Sequence, residues 1–512
     1  MTATASNKPG TVYLVGAGPG DPGLLTLRGK ECLEWADVVV SDYLANAVLL
    51  DFAPVDAERV FVGKTRGCHP TPQEEINQLL VDYARRGKTV VRLKGGDPYL
   101  FGRGGEEAQV LHAAGIPFEV VPGVTAASAA AAFSGVPLTH RDLTSSVALV
   151  TGHARSGKAD TNIDWAKLAT GVGTLVFYMG MTNLEHLVAN LLQHGRAPET
   201  PVAIVYWAST ARQQTLVATL ATVQERLQQT SIKPPALIIV GEVVSLRDEL
   251  NWFENRPLFG KRILVTRAAQ QAAPLVRLLT DAGAETLVCP LIAIAPPDDP
   301  VPLDAAIDRL AATDLLILTS VNAVQWFFRR LAERGLDARA LQGVELVAVG
   351  PKTAAAFTQF GLKPDLVPDE YHAEGVIACL KQRGVDGQRV LYPRADLARE
   401  VIPKQLTALG AEVIAPVAYR NICPPESITL LKRYLSEGLD AITLTSSSTL
   451  SNLLALAENA ETGLSDIPLF SIGPQTSATI RQAGLTVAAE AAPSTLEGLV
   501  AAMVEYFTDN SV

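Results

Sequence analysis

Val90-Val-Arg92-Leu-Lys94-Gly95-Gly96-Asp97-Pro98-Tyr-Leu-Phe-Gly-Arg103-Gly-Gly-Glu106-Glu107 is the stretch on which the reading of this 512-residue chain turns. Val90 to Leu93 reads as a short apolar strand, and it stops at two glycines and an Asp-Pro pair, residues that end regular structure. Neighbouring glycines at a strand end let another backbone or a ligand approach closely, because neither carries a Cβ. A tight turn would explain the glycines alone. It would not require Lys94 and Arg103 beside them, so the stretch reads as a binding loop.

Around it, apolar runs alternate with helical patterns: Val12 to Val15, Leu24 to Trp35, Val38 to Val40 and Gln73 to Arg86 come before, and strands at Val147 to Thr151, Thr174 to Tyr178, Val202 to Tyr206 and Ala236 to Val240 come after. This rhythm predicts an α/β fold. The opening loop Val15-Gly-Ala-Gly18-Pro19-Gly20-Asp21-Pro22 sits between a strand and a helix, where a dinucleotide loop would lie. Pro19 and Asp21 break the G-x-G-x-x-G spacing, and the acid at the usual distance, Asp42, falls in Ser41-Asp42-Tyr43, so a Rossmann dehydrogenase is a poor fit. The front half ends near Asn251. A short bridge reaches Lys261, a fresh strand begins at Arg262, and the expected domains are residues 1–255 and 261–512.

The back half repeats itself. Arg267 precedes Gly283-Ala-Glu285 by sixteen positions, and Arg394 precedes Gly410-Ala-Glu412 by sixteen. Thr319-Ser320 answers Thr445-Ser446, while Val349-Gly-Pro-Lys-Thr353 and Ile472-Gly-Pro-Gln-Thr476 lead by equal steps to Gly361 and Gly375 and to Gly484 and Gly498. A duplication of this kind predicts two related α/β lobes. In each, a Gly-Pro-x-Thr turn entering a helix offers backbone N–H groups to carboxylates, or serves only as a capping turn.

Composition narrows the class. Hydrophobic residues are 48% and charged residues 19%, the mix of a globular protein. A net charge of −10 argues against a chain that coats nucleic acid, since phosphate neutralisation needs a basic face. Cys32, Cys68, Cys289, Cys379 and Cys423 are scattered without a CxxC pair, and the histidines show no HExxH spacing, so neither disulfides nor a metal is expected. Met1 to Gly10 lacks the pattern of a secretory signal, and Val120 to His140, the longest uncharged stretch, is broken by prolines and glycines. The expected setting is cytoplasmic, away from membranes.

Gly-Ala-Gly-Pro-Gly-Asp-Pro at the start, Gly-Lys64 before Gln73-Glu-Glu-Ile-Asn77, Leu-Lys-Gly-Gly-Asp-Pro, Val121-Pro-Gly-Val-Thr125-Ala126, Pro137-Leu-Thr-His140-Arg141 and Val150-Thr-Gly-His153 follow in order. With these motifs, residues 1–255 resemble uroporphyrinogen-III C-methyltransferase. The resemblance implies two α/β subdomains holding S-adenosylmethionine, two methyl transfers to uroporphyrinogen III giving precorrin-2 on the sirohaem or cobalamin branch, and a homodimer formed through this half. It assigns cofactor contact to Pro19, Gly95, Gly96, Asp97, Leu100, Thr125, Ala126, Met179 and Ala208, and acid–base work to Asp42 and Lys64. A carboxylate suits the chemistry, because a pyrrole carbon that takes a methyl becomes part of a cation that must lose a proton. Asp21, Arg28, Arg66, Arg103 and Arg141 are expected at the substrate, with Arg92 and Lys94 adding to a positive surface for its carboxylates. Ala208 stands where the family commonly has glycine, and its methyl is expected to tighten the adenosine pocket.

Ile-Leu-Val-Thr-Arg267, Thr-Ser320, Val-Gly-Pro-Lys-Thr353, Arg394 ahead of Ala398-Arg-Glu400, Val417-Ala-Tyr419-Arg420, Thr-Ser446 and Ile-Gly-Pro-Gln-Thr476 make residues 261–507 similar to uroporphyrinogen-III synthase. That resemblance implies cofactor-free closure of hydroxymethylbilane with loss of water, in which holding the chain ends together matters more than a strong acid or base. Tyr419 would donate a proton to the leaving hydroxyl, and Thr353 and Thr476 would hold carboxylates. A rival expectation makes the back half a tetrapyrrole-sensing module without synthase activity.

Overall fold

The computed structural model describes residues 9–63, 71–152, 163–460, 464 and 466–510, so Lys64 and Arg66 lie outside the described residues. The chain forms two compact units, Met1–Lys261 with Leu279–Glu285, and Arg262–Leu278 with Thr286–Val512. Among the described residues no helix is long and apolar enough to cross a membrane.

In the first unit, β1 (Val12–Gly16), β2 (Val38–Ser41), β3 (Glu58–Phe61), β4 (Val90–Lys94) and β5 (Phe118–Val121) form a parallel sheet in the order β3-β2-β4-β1-β5. β2 and β4 are buried along their whole length, as parallel strands covered on both faces must be. Alternate residues serve opposite faces. Val12, Leu14, Val38, Val40 and Val90 meet Ile76 and Leu80 on one side, and Val15, Val39, Val91 and Leu93 meet Cys32 and Leu33 on the other.

A second sheet follows from β6 (Val147–Thr151), β7 (Thr174–Tyr178), β8 (Pro201–Tyr206), β9 (Gln214–Thr219) and β10 (Ala236–Val240), ordered β6-β7-β10-β8-β9. Only the β6–β7 pair is parallel. The strands that sequence reading passed over, β3, β5 and β9, lie at sheet edges. Edge strands are partly solvated and lack the continuous apolar run that identifies a central one.

In the second unit the chain gives β11 (Arg262–Val265), β12 (Glu285–Val288), β13 (Ala293–Ala295), β14 (Leu315–Leu318), β15 (Glu345–Ala348), β16 (Arg389–Leu391), β17 (Arg394–Ala395), β18 (Glu412–Ile414), β19 (Val417–Ile422), β20 (Ala441–Leu444), β21 (Leu469–Ser471) and β22 (Val487–Glu490). They build sheets ordered β12-β11-β20-β21-β22 and β15-β14-β16-β18, joined by a small β13-β19-β17 sheet. There are two lobes, but neither is made from one copy of the repeat. β11 and β12 of the first copy pack with β20 to β22 of the second, and β14 and β15 of the first pack with β16 and β18 of the second. The copies carry the same apolar pattern, so each offers the other the partner it would offer itself, the condition under which elements exchange.

Because each copy's strands are shared between two sheets, residues 262–388 expressed alone are expected to remain unfolded, and so are 389–510. Mixed, the two fragments should associate and recover native-like circular dichroism and dispersed amide resonances. A fragment that folds alone would contradict the exchange.

Candidate functional site

The loops that leave the carboxyl ends of the first sheet are tied together by backbone. Ala17 N–H donates to the Lys94 carbonyl (2.7 Å), Gly18 N–H to the Gly96 carbonyl (3.2 Å) and Gly96 N–H to the Gly18 carbonyl (2.7 Å). Asp97 joins a third loop: its Oδ1 accepts Tyr99 N–H (2.8 Å) and its Oδ2 accepts Gly123 N–H (3.0 Å). A Cβ on Gly123 would collide with the Gly96 carbonyl and stand 2.7 Å from Gly16 Cα, so these glycines serve backbone-to-backbone contact. Gly96 differs. It has φ +69°, and a Cβ there would make ordinary van der Waals contact with Ala126 N at 3.7 Å and Thr125 Cα at 3.9 Å. Gly96 therefore packs beside the N-terminus of the helix Ala126–Ser134, and its left-handed φ is what favours glycine there.

The far wall comes from the second sheet. Thr125 does not cap the helix it precedes. Instead the Tyr178 hydroxyl, at the end of β7, accepts Ala127 N–H (2.9 Å) and shares a hydrogen bond with Thr125 Oγ1 (2.6 Å). Burial raises the Tyr178 pKa, against the opposing pull of those two hydrogen bonds, so it stays a neutral phenol. Phe101 lies over it with ring centroids 4.8 Å apart. Leu100, Ala126 and Ala208 share one apolar cluster with Tyr178.

Among the described residues, five non-glycine residues have left-handed φ, namely Phe101, Arg103, Met179, Trp207 and Ser209, all in the loops after β4, β7 and β8. Strain of this kind costs roughly 1–3 kcal/mol per residue and collects where a fold shapes a binding surface. Ser209 Oγ accepts Asp21 N–H (3.2 Å), which fastens the loop holding Pro19 to the loop holding Ala208. The residues expected at a cofactor thus fall on five loops, those after β1, β4, β5, β7 and β8, with Met179 half exposed next to Tyr178.

The charged residues are arranged differently from the expectation. Arg92 and Lys94 add nothing to a positive surface: each is 3% exposed, and both are paired inside the protein. Glu107 Oε1 accepts from Arg92 Nε (3.2 Å), Lys94 Nζ (2.8 Å) and Gln73 Nε2 (3.1 Å). Arg92 Nη2 reaches Asp42 Oδ2 (3.3 Å). Burial, followed by repulsion from Arg92, lowers the Lys94 pKa, and Glu107 opposes that shift. Asp42 Oδ1 is buried and has no hydrogen-bond partner among the described residues.

Arg28 is committed to Glu119 through two 2.9 Å bonds and to Glu31, and Arg103 is paired with Glu106. Asp21 Oδ1 caps the short 3-10 turn Pro22–Leu24 by accepting Gly23 N–H (2.8 Å). Arg141 is exposed. Sequence reading missed Tyr178, for which no pattern gives a signal. It also passed over Glu107, for which a signal existed: Arg92 and Lys94, two apart on a buried strand, point to the same face and require a counter-charge there.

In the second unit Tyr419 lies on β19, 7% exposed, with its hydroxyl 3.0 Å from Ser320 Oγ. Ser320 is the N-cap of the helix Val321–Glu333 and accepts Ala323 N–H (2.9 Å). Burial raises the Tyr419 pKa, with the Ser320 bond opposing, which keeps the proton on the phenol. Thr353 and Thr476 are buried, each the third residue of its helix, and neither hydroxyl caps it. What those turns offer is the backbone N–H groups behind Gly350 and Gly473.

Family models place the chain among known proteins. One described as Tetrapyrrole (Corrin/Porphyrin) Methylases matches residues 11–224, and one described as Uroporphyrinogen-III synthase HemD matches residues 273–501. The porphyrin biosynthesis protein HemD of Ruminiclostridium josui is 40% identical over 464 residues, 90% of each chain. Uroporphyrinogen-III C-methyltransferase of Bacillus subtilis (strain 168) is 44% identical over 335 residues, 65% of this chain and 68% of that one. The solved structure of uroporphyrin-III C-methyl transferase from Thermus thermophilus complexed with S-adenyl homocysteine is 46% identical, covering 46% of this chain and 100% of that one, with a TM-score of 0.40.

Tyr178→Phe removes the oxygen that serves both Ala127 N–H and Thr125. The first unit should lose about 1–3 kcal/mol of stability, the usual cost of leaving a buried polar group unpaired. Urea unfolding followed through the tryptophans of the first unit measures this; an unchanged midpoint would show that Tyr178 does not anchor the helix.

Proposed function

The chain belongs to the tetrapyrrole-biosynthesis family in which a tetrapyrrole methylase and a uroporphyrinogen-III synthase share one polypeptide, and we propose that it carries hydroxymethylbilane through to precorrin-2. It is a bifunctional enzyme, a uroporphyrinogen-III synthase and an S-adenosylmethionine-dependent uroporphyrinogen-III C-methyltransferase. The observation that supports methyl transfer is the gathering of the loops after β1, β4, β5 and β8 around Gly96 and the start of the helix Ala126–Ser134. The residues present fit an adenosyl group there: backbone N–H groups, the hydroxyl of Thr125, and the apolar side chains of Leu100, Ala126, Met179 and Ala208. When bound, S-adenosylmethionine supplies an electrophilic methyl.

The remaining work falls to side chains. Asp42 accepts the proton that leaves a bridging carbon after the pyrrole carbon gains its methyl, and Lys64 holds substrate carboxylates or relays a proton. Arg141 and Arg103 face solvent and suit the carboxylates of the substrate. Arg28 and Asp21 contribute less directly, being engaged with Glu119 and with the turn after β1. In the second unit the protonated Tyr419 donates to the departing hydroxyl, while helix N-termini at Thr353 and Thr476 hold carboxylates and so keep the linear chain folded. We further propose that the methylase half pairs as a homodimer, which sedimentation of the intact chain will report.

Hydroxymethylbilane with labelled S-adenosylmethionine should give dimethylated precorrin-2 by mass; a product pool of unmethylated uroporphyrinogen III alone would overturn the proposal. Asp42→Asn should lower methyl transfer by about 100-fold or more and leave cyclisation at the parent rate, since general-base catalysis contributes roughly 10²–10⁴-fold. Tyr419→Phe should do the reverse, slowing cyclisation by about 100-fold with methyl transfer to added uroporphyrinogen III unchanged. If either substitution impairs both activities, the division of labour is wrong.

A further inference from the structure

Four ionisable groups meet beneath the methylase loops, and three of them cannot reach any ligand. Arg92 and Lys94 are 3% exposed and Glu107 is 0% exposed, whereas the Asp42 side chain is 28% exposed. One oxygen, Glu107 Oε1, gathers Arg92 Nε, Lys94 Nζ and Gln73 Nε2. The rest of the Arg92 fork is also fixed: Nη1 donates to the carbonyls of Val40 and Leu93, both at 3.3 Å, and Nη2 donates to Asp42 Oδ2. The planar guanidinium therefore has its orientation set by Glu107 and by two backbone carbonyls before it touches Asp42. Asp42 is held by one oxygen only. Its other oxygen, Oδ1, is sealed from water with no partner among the described residues. A buried carboxylate oxygen left without a donor is unfavourable and uncommon, and it persists where the surroundings enforce it.

We propose that Arg92, aligned by Glu107, is a positioning residue of the methyl-transfer site: it clamps Asp42 through Oδ2 and thereby fixes the direction in which the part-exposed carboxylate meets the substrate proton. This rests on Asp42 acting as the proton acceptor. Arg92 touches neither cofactor nor substrate, so its contribution belongs in turnover and not in binding. A misplacement of about 1 Å can cost roughly 100-fold in rate. Lysine keeps the charge but replaces the fork by a single ammonium, which cannot serve Glu107, two carbonyls and Asp42 together.

The test uses the intact chain. Arg92→Lys should lower kcat for methyl transfer roughly 10- to 100-fold, with the Kd for S-adenosylhomocysteine, read by calorimetry, and the KM for uroporphyrinogen III within twofold of the parent. Glu107→Gln, which keeps the shape and removes the charge that aligns Arg92, should act in the same direction and serves as the second variant should Arg92→Lys fail to fold. The two positions should also be coupled to Asp42: in an Asp42→Asn background, Arg92→Lys should leave the residual methylation rate where it is. Loss of S-adenosylhomocysteine binding in step with kcat would mark a merely structural role and overturn the proposal, as would an unchanged kcat or an equal loss in the Asp42→Asn background. Failure of the underlying reading is distinguishable, because Asp42→Asn alone would then retain the parent rate.

Discussion

Three backbones in the first unit approach more closely than any side chain would allow, and the candidate site of the first unit depends on that contact. Gly16 ends β1, Gly96 follows β4 and Gly123 follows β5, and a single Cβ on Gly123 would strike both of the others. With the strand ends pressed together, Asp97 can reach Gly123 N–H, the Gly18–Gly96 bridge can close, and the helix after Thr125 begins beside Gly96. This packing uses up Gly16 and Gly123 and leaves Gly96 beside the helix start. It lies at the carboxyl ends of a parallel sheet, where helix N-termini and loops converge in folds of this type.

Around this contact the protein spends its polar groups in two ways. Some are tied off completely: the Asp97 carboxylate holds two N–H groups, and the Tyr178 hydroxyl serves a helix start that its own N-cap residue leaves unsatisfied. Others are left open. Asp42 and Glu107 each keep one buried oxygen without a donor among the described residues, although two cations lie within the same cluster. Buried charges are costly unless paired, so the cluster makes geometric sense as a device that fixes direction and poor sense as a source of stability.

The second unit places its candidate phenol by a different route. Tyr419 stands on the strand that runs between the lobes, and its hydroxyl meets the residue that caps a lobe helix, Ser320. The phenol is thus positioned by the connection between lobes as well as by the core it sits in. Cyclisation of a linear chain gains most from such placement, since bringing two ends together lowers the entropy barrier without strong acid or base chemistry.

Much of this was legible in the order of residues. The α/β rhythm, the loop after Leu93 and the sixteen-residue spacings of the repeat all depend on local pattern, and the central strands follow it because they are apolar on both faces. The edge strands β3, β5 and β9 were not legible, being half solvated. Nor was the use of the charges: Arg92 and Lys94 look like any two cations near a binding loop, and only packing against the helix Gly104–Ala113 turns them inward onto Glu107. The sharing of strands between repeats lay furthest from view. Two copies with the same apolar pattern satisfy either pairing equally well, so the choice rests on how the connecting strands cross, and that is settled only when the whole chain packs.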